Sequence, residues 1–116
     1  MAIEEFETQL IVLDDAFQHR RIHRDLNIVL LDALEPFGFE HVFPRGTLRE
    51  PPSHLARANT IFITKSDGQT EALRHRIALL NPNAAIIECV HHPLYLEDVF
   101  SGQRQQLEIL KGRKVA

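Results

Sequence analysis

The sequence predicts an α/β domain with a mainly parallel sheet of about four strands and flanking helices. Two observations predict it. Four short apolar runs are rich in β-branched residues: L-I-V-L (10–13), N-I-V-L-L-D (27–32), T-I-F-I-T-K (60–65) and A-A-I-I-E-C-V (84–90). A continuous run of this kind suits a strand covered on both faces, as in a parallel sheet. Helical connections alternate with these runs, which is the pattern of a parallel α/β fold. The 116 residues suit a single domain, 1–116.

The elements follow in order. Residues 2–8 read as the tail of a helix, with acidic residues interrupting Ile3 and Phe6. The 10–13 and 27–32 runs are strands, each ended by aspartate. Residues 36–52 form a long loop pinned by Pro36, Pro44, Pro51 and Pro52. Ser53 is placed to cap a short helix through Ala58. After the 60–65 strand, Asp67 or Thr70 caps a better helix with Leu73, Ile77 and Leu80 on one face, and N-P-N (81–83) stops it. The 84–90 run is the fourth strand. His91-His92-Pro93 is a loop, since adjacent imidazoles on a strand point apart. Residues 103–110 read as a further helix or an irregular edge, and K-G-R-K-V-A (111–116) as the start of one more strand.

With 44% hydrophobic and 25% charged residues the chain is globular rather than disordered. A net charge of −3 argues against a nucleic-acid binder, which is usually basic. One cysteine, Cys89, forms no internal disulfide, so a reducing cytoplasmic setting is the natural reading, with Cys89 as a small core residue. No apolar run approaches the ~18 residues of a membrane span. The acidic start M-A-I-E-E-F-E is not a signal peptide.

In a parallel sheet, ligands sit beyond the carboxyl ends of the strands. Asp14-Asp15, Asp32 and Lys65-Ser66-Asp67 are expected there, around one crevice. The alternative is that strand ends are simply where a chain becomes polar. Asp14 and Asp15 repel each other and are costly to desolvate, and a cation relieves both problems. Aspartate at a strand end is the usual mount for Mg²⁺ in phosphoryl transfer, because magnesium takes hard oxygen ligands. The pair also fits a turn or helix cap. Gln18, His19, Arg20 and Arg21 follow, with His23, Arg24 and Asp25. This cationic density suits phosphates or an anionic substrate, and equally a solvated, salt-bridged turn. A zinc site from His19 and His23 at i, i+4 would need a helix and further ligands, and only carboxylates are nearby, so zinc is not expected.

Arg45 and Arg49 offer two guanidinium forks in the long loop, and Gly46 permits an unusual backbone angle. Arg49 and Glu50 also fit a local pair. T-K-S-D (64–67) resembles the base-reading loop of guanine-nucleotide proteins, in which a lysine stacks on the base and an aspartate accepts from it. The same four residues also fit a strand end followed by an Asp cap.

Four blocks in this order are not generic: D-D-A-F-Q-H-R-R, R-D-L-N-I-V-L-L-D-A, P-F-G-F-E-H-V-F-P-R-G-T-L-R-E-P and I-F-I-T-K-S-D. Together they resemble the tetraacyldisaccharide 4'-kinase (lipid A 4'-kinase) family, over essentially the whole chain. The resemblance implies part of a P-loop kinase fold and transfer from MgATP to the 4'-hydroxyl of a tetraacylated glucosamine disaccharide. The setting it implies is the cytoplasmic face of the inner membrane. ATP and Mg²⁺ are the implied cofactors and a lipid A disaccharide precursor the implied partner. Asp14 and Asp15 match the family's metal-binding pair, and Gln18 and His19 belong to the same motif and would line the site. Arg45 and Arg49 match a block whose leading role is contact with substrate or phosphate. Lys65 and Asp67 are the candidate nucleotide-binding residues.

Two positions depart from the family pattern, which usually has Gly where Ala16 and Glu40 stand. Ala16 is harmless unless its position needs positive φ. Glu40 puts a carboxylate in a loop expected near anionic ligands. No stretch reads G-x-x-x-x-G-K-[ST]. The family carries its phosphate loop, membrane-associating helix and proposed catalytic aspartate upstream of the matched region, and an Asp-His-His motif downstream. The chain is therefore expected to be a central fragment, inactive alone, with peripheral membrane association only through segments outside it. It is also expected to expose a sheet edge at L-I-V-L. The competing expectations are a non-catalytic remnant, a non-catalytic interaction module complementing a separate phosphate-loop chain, or a small nucleotide-binding domain built on T-K-S-D.

Overall fold

Backbone pairing joins three of the four apolar runs. The computed structural model describes residues 6–114, in which β1 (Ile28–Asp32), β2 (Thr60–Thr64) and β3 (Ala85–Glu88) form one parallel sheet in the order β1-β2-β3. Val29 lies opposite Ile61, Leu31 opposite Ile63, and Ile61 opposite Ile86. Between β2 and β3 runs α1 (Glu71–Leu80). A separate two-stranded antiparallel hairpin pairs β4 (Leu96–Glu97) with β5 (Arg104–Gln105), and short 3₁₀ turns lie at Gly38–Glu40, Pro52–Arg57 and Leu107–Leu110.

Period-2 geometry puts Val29, Leu31, Ile61, Ile63 and Ile86 on one face of the sheet. That face is the core. Ile61, Ile63 and Ile77 are fully buried, and Leu31, Phe37, Leu55 and Ala58 complete the cluster, with Phe17, Leu73 and Leu80 packed against it. Buried Asn81 closes it from below. Its backbone N–H donates to Ile77 O, ending α1, while Nδ2 donates to Leu55 O (2.8 Å) and Ala58 O (2.9 Å). The asparagine of the N-P-N stop thus also ties the helix to the Pro52–Arg57 turn.

The opposite face is open. Ile28, Leu30 and Ile87 on it are 46%, 67% and 44% exposed. The surface of 9900 Å² exceeds the about 6,500 Å² of a compact domain of this mass. The radius of gyration, 18.6 Å, exceeds the about 13 Å expected. Burial on both faces, expected from the continuous apolar runs, is therefore met on one face only.

Several further expectations are corrected. L-I-V-L forms no strand, and Leu10, Ile11, Val12 and Leu13 are all exposed. A strand needs a pairing neighbour, and the chain after Leu13 is drawn away into a turn. Arg24 Nη1 gathers Ala16 O (2.7 Å) and His19 O (2.8 Å), while Arg24 Nε donates to Asn27 Oδ1 at the start of β1. The outer edge of β1 is left unpaired among the described residues. Pro52, not Ser53, begins the short helix, since proline's fixed φ suits the first helical position, and Pro51 at the N-cap has no side-chain acceptor to cap it. Residues 103–110 divide between β5 and a 3₁₀ turn. Lys111–Lys114 form no strand, and Val115 and Ala116 lie outside the described residues, as do residues 2–5 of the expected N-terminal helix. His91-His92-Pro93 is irregular, as expected, and Cys89 is half-buried rather than core.

Candidate active site

Asp14 and Asp15 sit in a turn, not at a strand end. Asp15 has φ +47°, a left-handed conformation that aspartate tolerates better than most residues. Gln18 Nε2 donates back to Asp15 O (2.7 Å), closing the turn. Buried Ala16 is not among the residues with positive φ, so the loss of glycine there carries no backbone strain. Phe17 anchors the turn on the core. Arg57 lies over its ring at 4.3 Å from the centroid and donates to its carbonyl (3.4 Å).

Asp15 pairs with Arg49 at 2.7 Å, across 34 residues of sequence, and both side chains are more than half exposed. Asp14 is exposed and makes no hydrogen bond or ion pair among the described residues. Arg49 does not pair with its neighbour: Glu50 instead accepts from Arg57 and lies 3.5 Å from His54 Nδ1. His19 and Arg45 are exposed. The His19 carbonyl holds Arg24, and the Arg45 N–H donates to Val42 O (3.1 Å).

A cavity of about 380 Å³ lies against β1, walled by Phe17, Leu31, Phe37 and Leu55 and rimmed by Gln18, Asp32, Arg49 and Glu50. Its size and its few converging polar groups suit a small ligand or part of a larger one.

The ends of β1 and β2 do meet. Lys65, at φ +53°, directs its ammonium to Asp32 in a short ion pair. Lys65, then the Leu34 N–H, holds the Asp32 carboxyl below its ordinary value of 3.8. A depressed folded-state pKa contributes stability above the unfolded value that is lost as pH falls through the folded one. Urea unfolding is therefore expected to show a wild-type advantage over Asp32→Asn at pH 6 that shrinks below pH 3.8. An advantage independent of pH contradicts this. Asp67 is exposed, and its Oδ1 accepts from the Gln69 N–H (2.9 Å).

One common crevice for Asp14-Asp15, Asp32 and Lys65–Asp67 is thus revised. Asp15, Gln18 and Arg49 form one group, and Asp32 and Lys65 another. The cavity rim touches both, through Gln18 and Arg49 on one side and Asp32 on the other. Two participants escaped the sequence reading: His54, which gave no signal, and Glu88, which accepts from Ser66 and Thr70 and whose signal was a lone carboxylate inside the apolar run A-I-I-E-C-V. Glu50, read as a local partner for Arg49, pairs with Arg57 instead.

Glu40, at φ +65°, follows Phe39 at φ +60°, which explains a glycine preference at this position. The expected penalty of its carboxylate is offset locally, since Glu40 takes both Arg76 guanidinium nitrogens (Nη1 at 2.6 Å).

Asp14 and Asp15 offer adjacent hard oxygens on an accessible turn. That donor set fits Mg²⁺, which commonly takes one or two carboxylates and fills its remaining sites with water. No group of three or more His, Cys, Asp or Glu side chains that could hold a metal occurs among the described residues. No described helix is long and apolar enough to cross a membrane.

The model of a protein family described as tetraacyldisaccharide-1-P 4'-kinase matches residues 1–116. The tetraacyldisaccharide 4'-kinase of Elusimicrobium minutum is 42% identical over 115 residues, covering 96% of this chain and 31% of that protein. The Anaeromyxobacter dehalogenans (strain 2CP-C) protein of that name is 43% identical, covering 99% and 31%. That of Desulfatibacillum aliphaticivorans is 39% identical, covering 100% and 32%. The chain thus spans just under a third of the length of these relatives. No solved structure matches it.

Proposed function

The chain belongs to the tetraacyldisaccharide 4'-kinase family, and from that premise we propose that it carries part of a P-loop kinase acting on the lipid A precursor. The reaction is transfer of the γ-phosphoryl group of MgATP to the 4'-hydroxyl of a tetraacylated disaccharide 1-phosphate, at the cytoplasmic face of the inner membrane. The observation that carries the reading is the Asp15–Arg49 contact. It joins two of the four sequence blocks that carry the family resemblance, D-D-A-F-Q-H-R-R and the block ending L-R-E-P.

Asp14 and Asp15 would hold Mg²⁺, which when bound offsets the negative charge of the β- and γ-phosphates. Gln18 fixes the Asp15 backbone through its 2.7 Å hydrogen bond and so sets the carboxylate's direction. Arg49, already on Asp15, would exchange part of that contact for a phosphate oxygen, for which its planar fork is suited. Arg45 would add a second fork to the substrate, and His19 lines the approach. Lys65 and Asp67 would face the nucleotide base. The chain alone lacks the amide cradle and lysine of a phosphate loop, so it is proposed to be inactive by itself.

Calorimetry with a non-hydrolysable MgATP analogue tests this. Binding in the millimolar range is expected for the wild type. It is expected to vanish without Mg²⁺ and in Asp14→Asn/Asp15→Asn, with no phosphoryl transfer above a rigorous blank. Binding that survives both changes, or turnover by the chain alone, would sink the reading. The unpaired outer edge of β1 favours a second reading, a non-catalytic module that completes a separate chain bearing the phosphate loop. Activity appearing only when the two are mixed identifies that case.

A further inference from the structure

We propose that Glu88, at the end of β3, is the positioning residue that holds loop 65–70 in the conformation presenting Lys65 and Asp67. The inference rests on the nucleotide-facing reading of that loop for its functional meaning, but not for its geometry.

The Glu88 carboxylate is the acceptor for three donors from two elements. Ser66 Oγ donates to Oε2 at 2.8 Å, while Thr70 Oγ1 (2.5 Å) and Arg74 Nη1 (3.1 Å) donate to Oε1. Ser66 and Thr70 are buried, at 8% and 4% exposure. A buried hydroxyl left without an acceptor is costly, so these two fix where Glu88 must be. The effect is relayed. With its proton committed to Glu88, Ser66 Oγ turns a lone pair to the Gly68 N–H (3.0 Å), which shapes the turn carrying Asp67. Thr70 stands at the N-cap of α1, yet its hydroxyl makes no cap hydrogen bond. The position normally used to start the helix is given over to the clamp.

The clamp also leaves one oxygen of Asp67 unengaged, while the Lys65 ammonium rests on Asp32. Asp67 Oδ1 is engaged by the Gln69 N–H, and Oδ2 has no donor among the described residues. The left-handed Lys65 backbone is locked on both sides, by β2 pairing before it and by Ser66 after it, whose N–H donates to Cys89 O. Glutamine at position 88 offers one carbonyl acceptor and an amide donor. It cannot accept from both hydroxyls and the guanidinium together.

Amide hydrogen exchange by NMR on the 116-residue chain tests the proposal, with MgATP and MgGTP titrated to 10 mM in parallel. In Glu88→Gln, exchange of the Ser66 and Gly68 amides is expected to accelerate at least tenfold, with the Ile61 and Ile63 amides unchanged. Thr70→Val is expected to act in the same direction and Thr70→Ser to restore near wild-type exchange, which separates the clamp from general loss of folding. Ser66 and Gly68 exchange within twofold of wild type in both Glu88→Gln and Thr70→Val overturns the proposal. Nucleotide-induced shifts at Lys65–Gln69 in the wild type, lost in Glu88→Gln, support it in full. Accelerated exchange with no wild-type nucleotide shifts still supports Glu88 as the holder of the loop, while refuting the nucleotide reading of Lys65 and Asp67.

Discussion

Ile77→Ala is expected to leave the chain mostly unfolded at 25 °C. Ile77 is fully buried, where α1 meets the covered face of the sheet. Truncating such a side chain costs about 2–5 kcal/mol, through lost transfer energy and the cavity left behind. Alanine's better helix propensity returns only about 0.4 kcal/mol. Ordinary domains hold roughly 5–15 kcal/mol in reserve. This chain covers only one face of its sheet, so it belongs at the low end of that range or below it. Leu79 is the control, two residues on and 74% exposed. Leu79→Ala is expected to change stability by at most about 0.5 kcal/mol. Circular dichroism during urea unfolding reads both. A wild-type midpoint for Ile77→Ala would mean that the α1–sheet contact does not hold the fold.

This asymmetry shows which elements were legible in the sequence. The 3.6-residue period of Leu73, Ile77 and Leu80 is local, and α1 formed where it pointed. Three apolar runs became strands because each found a neighbour in the same sheet. L-I-V-L has the same composition and did not, since pairing is a property of two segments and composition reports on one. Its tether, Arg24 on the Ala16 and His19 carbonyls, is a folded-state contact that no periodicity encodes.

The site divides along the same line. From the sequence, Asp15 read as a candidate metal ligand, Arg49 as a candidate phosphate or substrate contact, Lys65 as a candidate base contact, and Gln18 as lining the site through the resemblance alone. Their grouping was not legible. The shared-crevice expectation assumed that Asp14-Asp15 ends a strand, and without that strand Asp15 turned to Arg49. Asp32 and Lys65, at the ends of two adjacent parallel strands, met as sheet topology requires. Glu40 shows the limit from the other side. Its carboxylate looked unfavourable until Arg76, 36 residues away, was found against it.

Gly46→Ala is expected to break the loop that carries Arg49. A Cβ at Gly46 would lie 2.2 Å from His41 O and 2.4 Å from Gly38 O. Both are backbone atoms, so neither swings aside as a side-chain tip would. They are also already engaged: His41 O accepts from the Leu48 N–H and Gly38 O from the Thr47 N–H, each at 3.2 Å. The Gly46 N–H itself donates to Val42 O, and Val42 bridges Leu48. A methyl group therefore has to part several backbone hydrogen bonds at once, just before Arg49 reaches Asp15. Overpacking of this kind costs about 1–3 kcal/mol, and more when backbone must move. Gly102→Ala separates crowding from conformational strain. Gly102 has φ +68° with nothing within 4 Å of an added Cβ, so it meets only the left-handed penalty, roughly 1–2 kcal/mol, within the β4–β5 hairpin. In Gly46→Ala, the Thr47 and Leu48 amides are expected to lose hydrogen-exchange protection. The weak Mg²⁺-dependent nucleotide binding proposed above is expected to fall with it, while Gly102→Ala keeps both. If Thr47 and Leu48 keep their protection in Gly46→Ala, the close approach at position 46 is not what holds Arg49 in the site. The Asp15–Arg49 contact would then have to be formed by the pair itself, although exposed ion pairs of this kind contribute little.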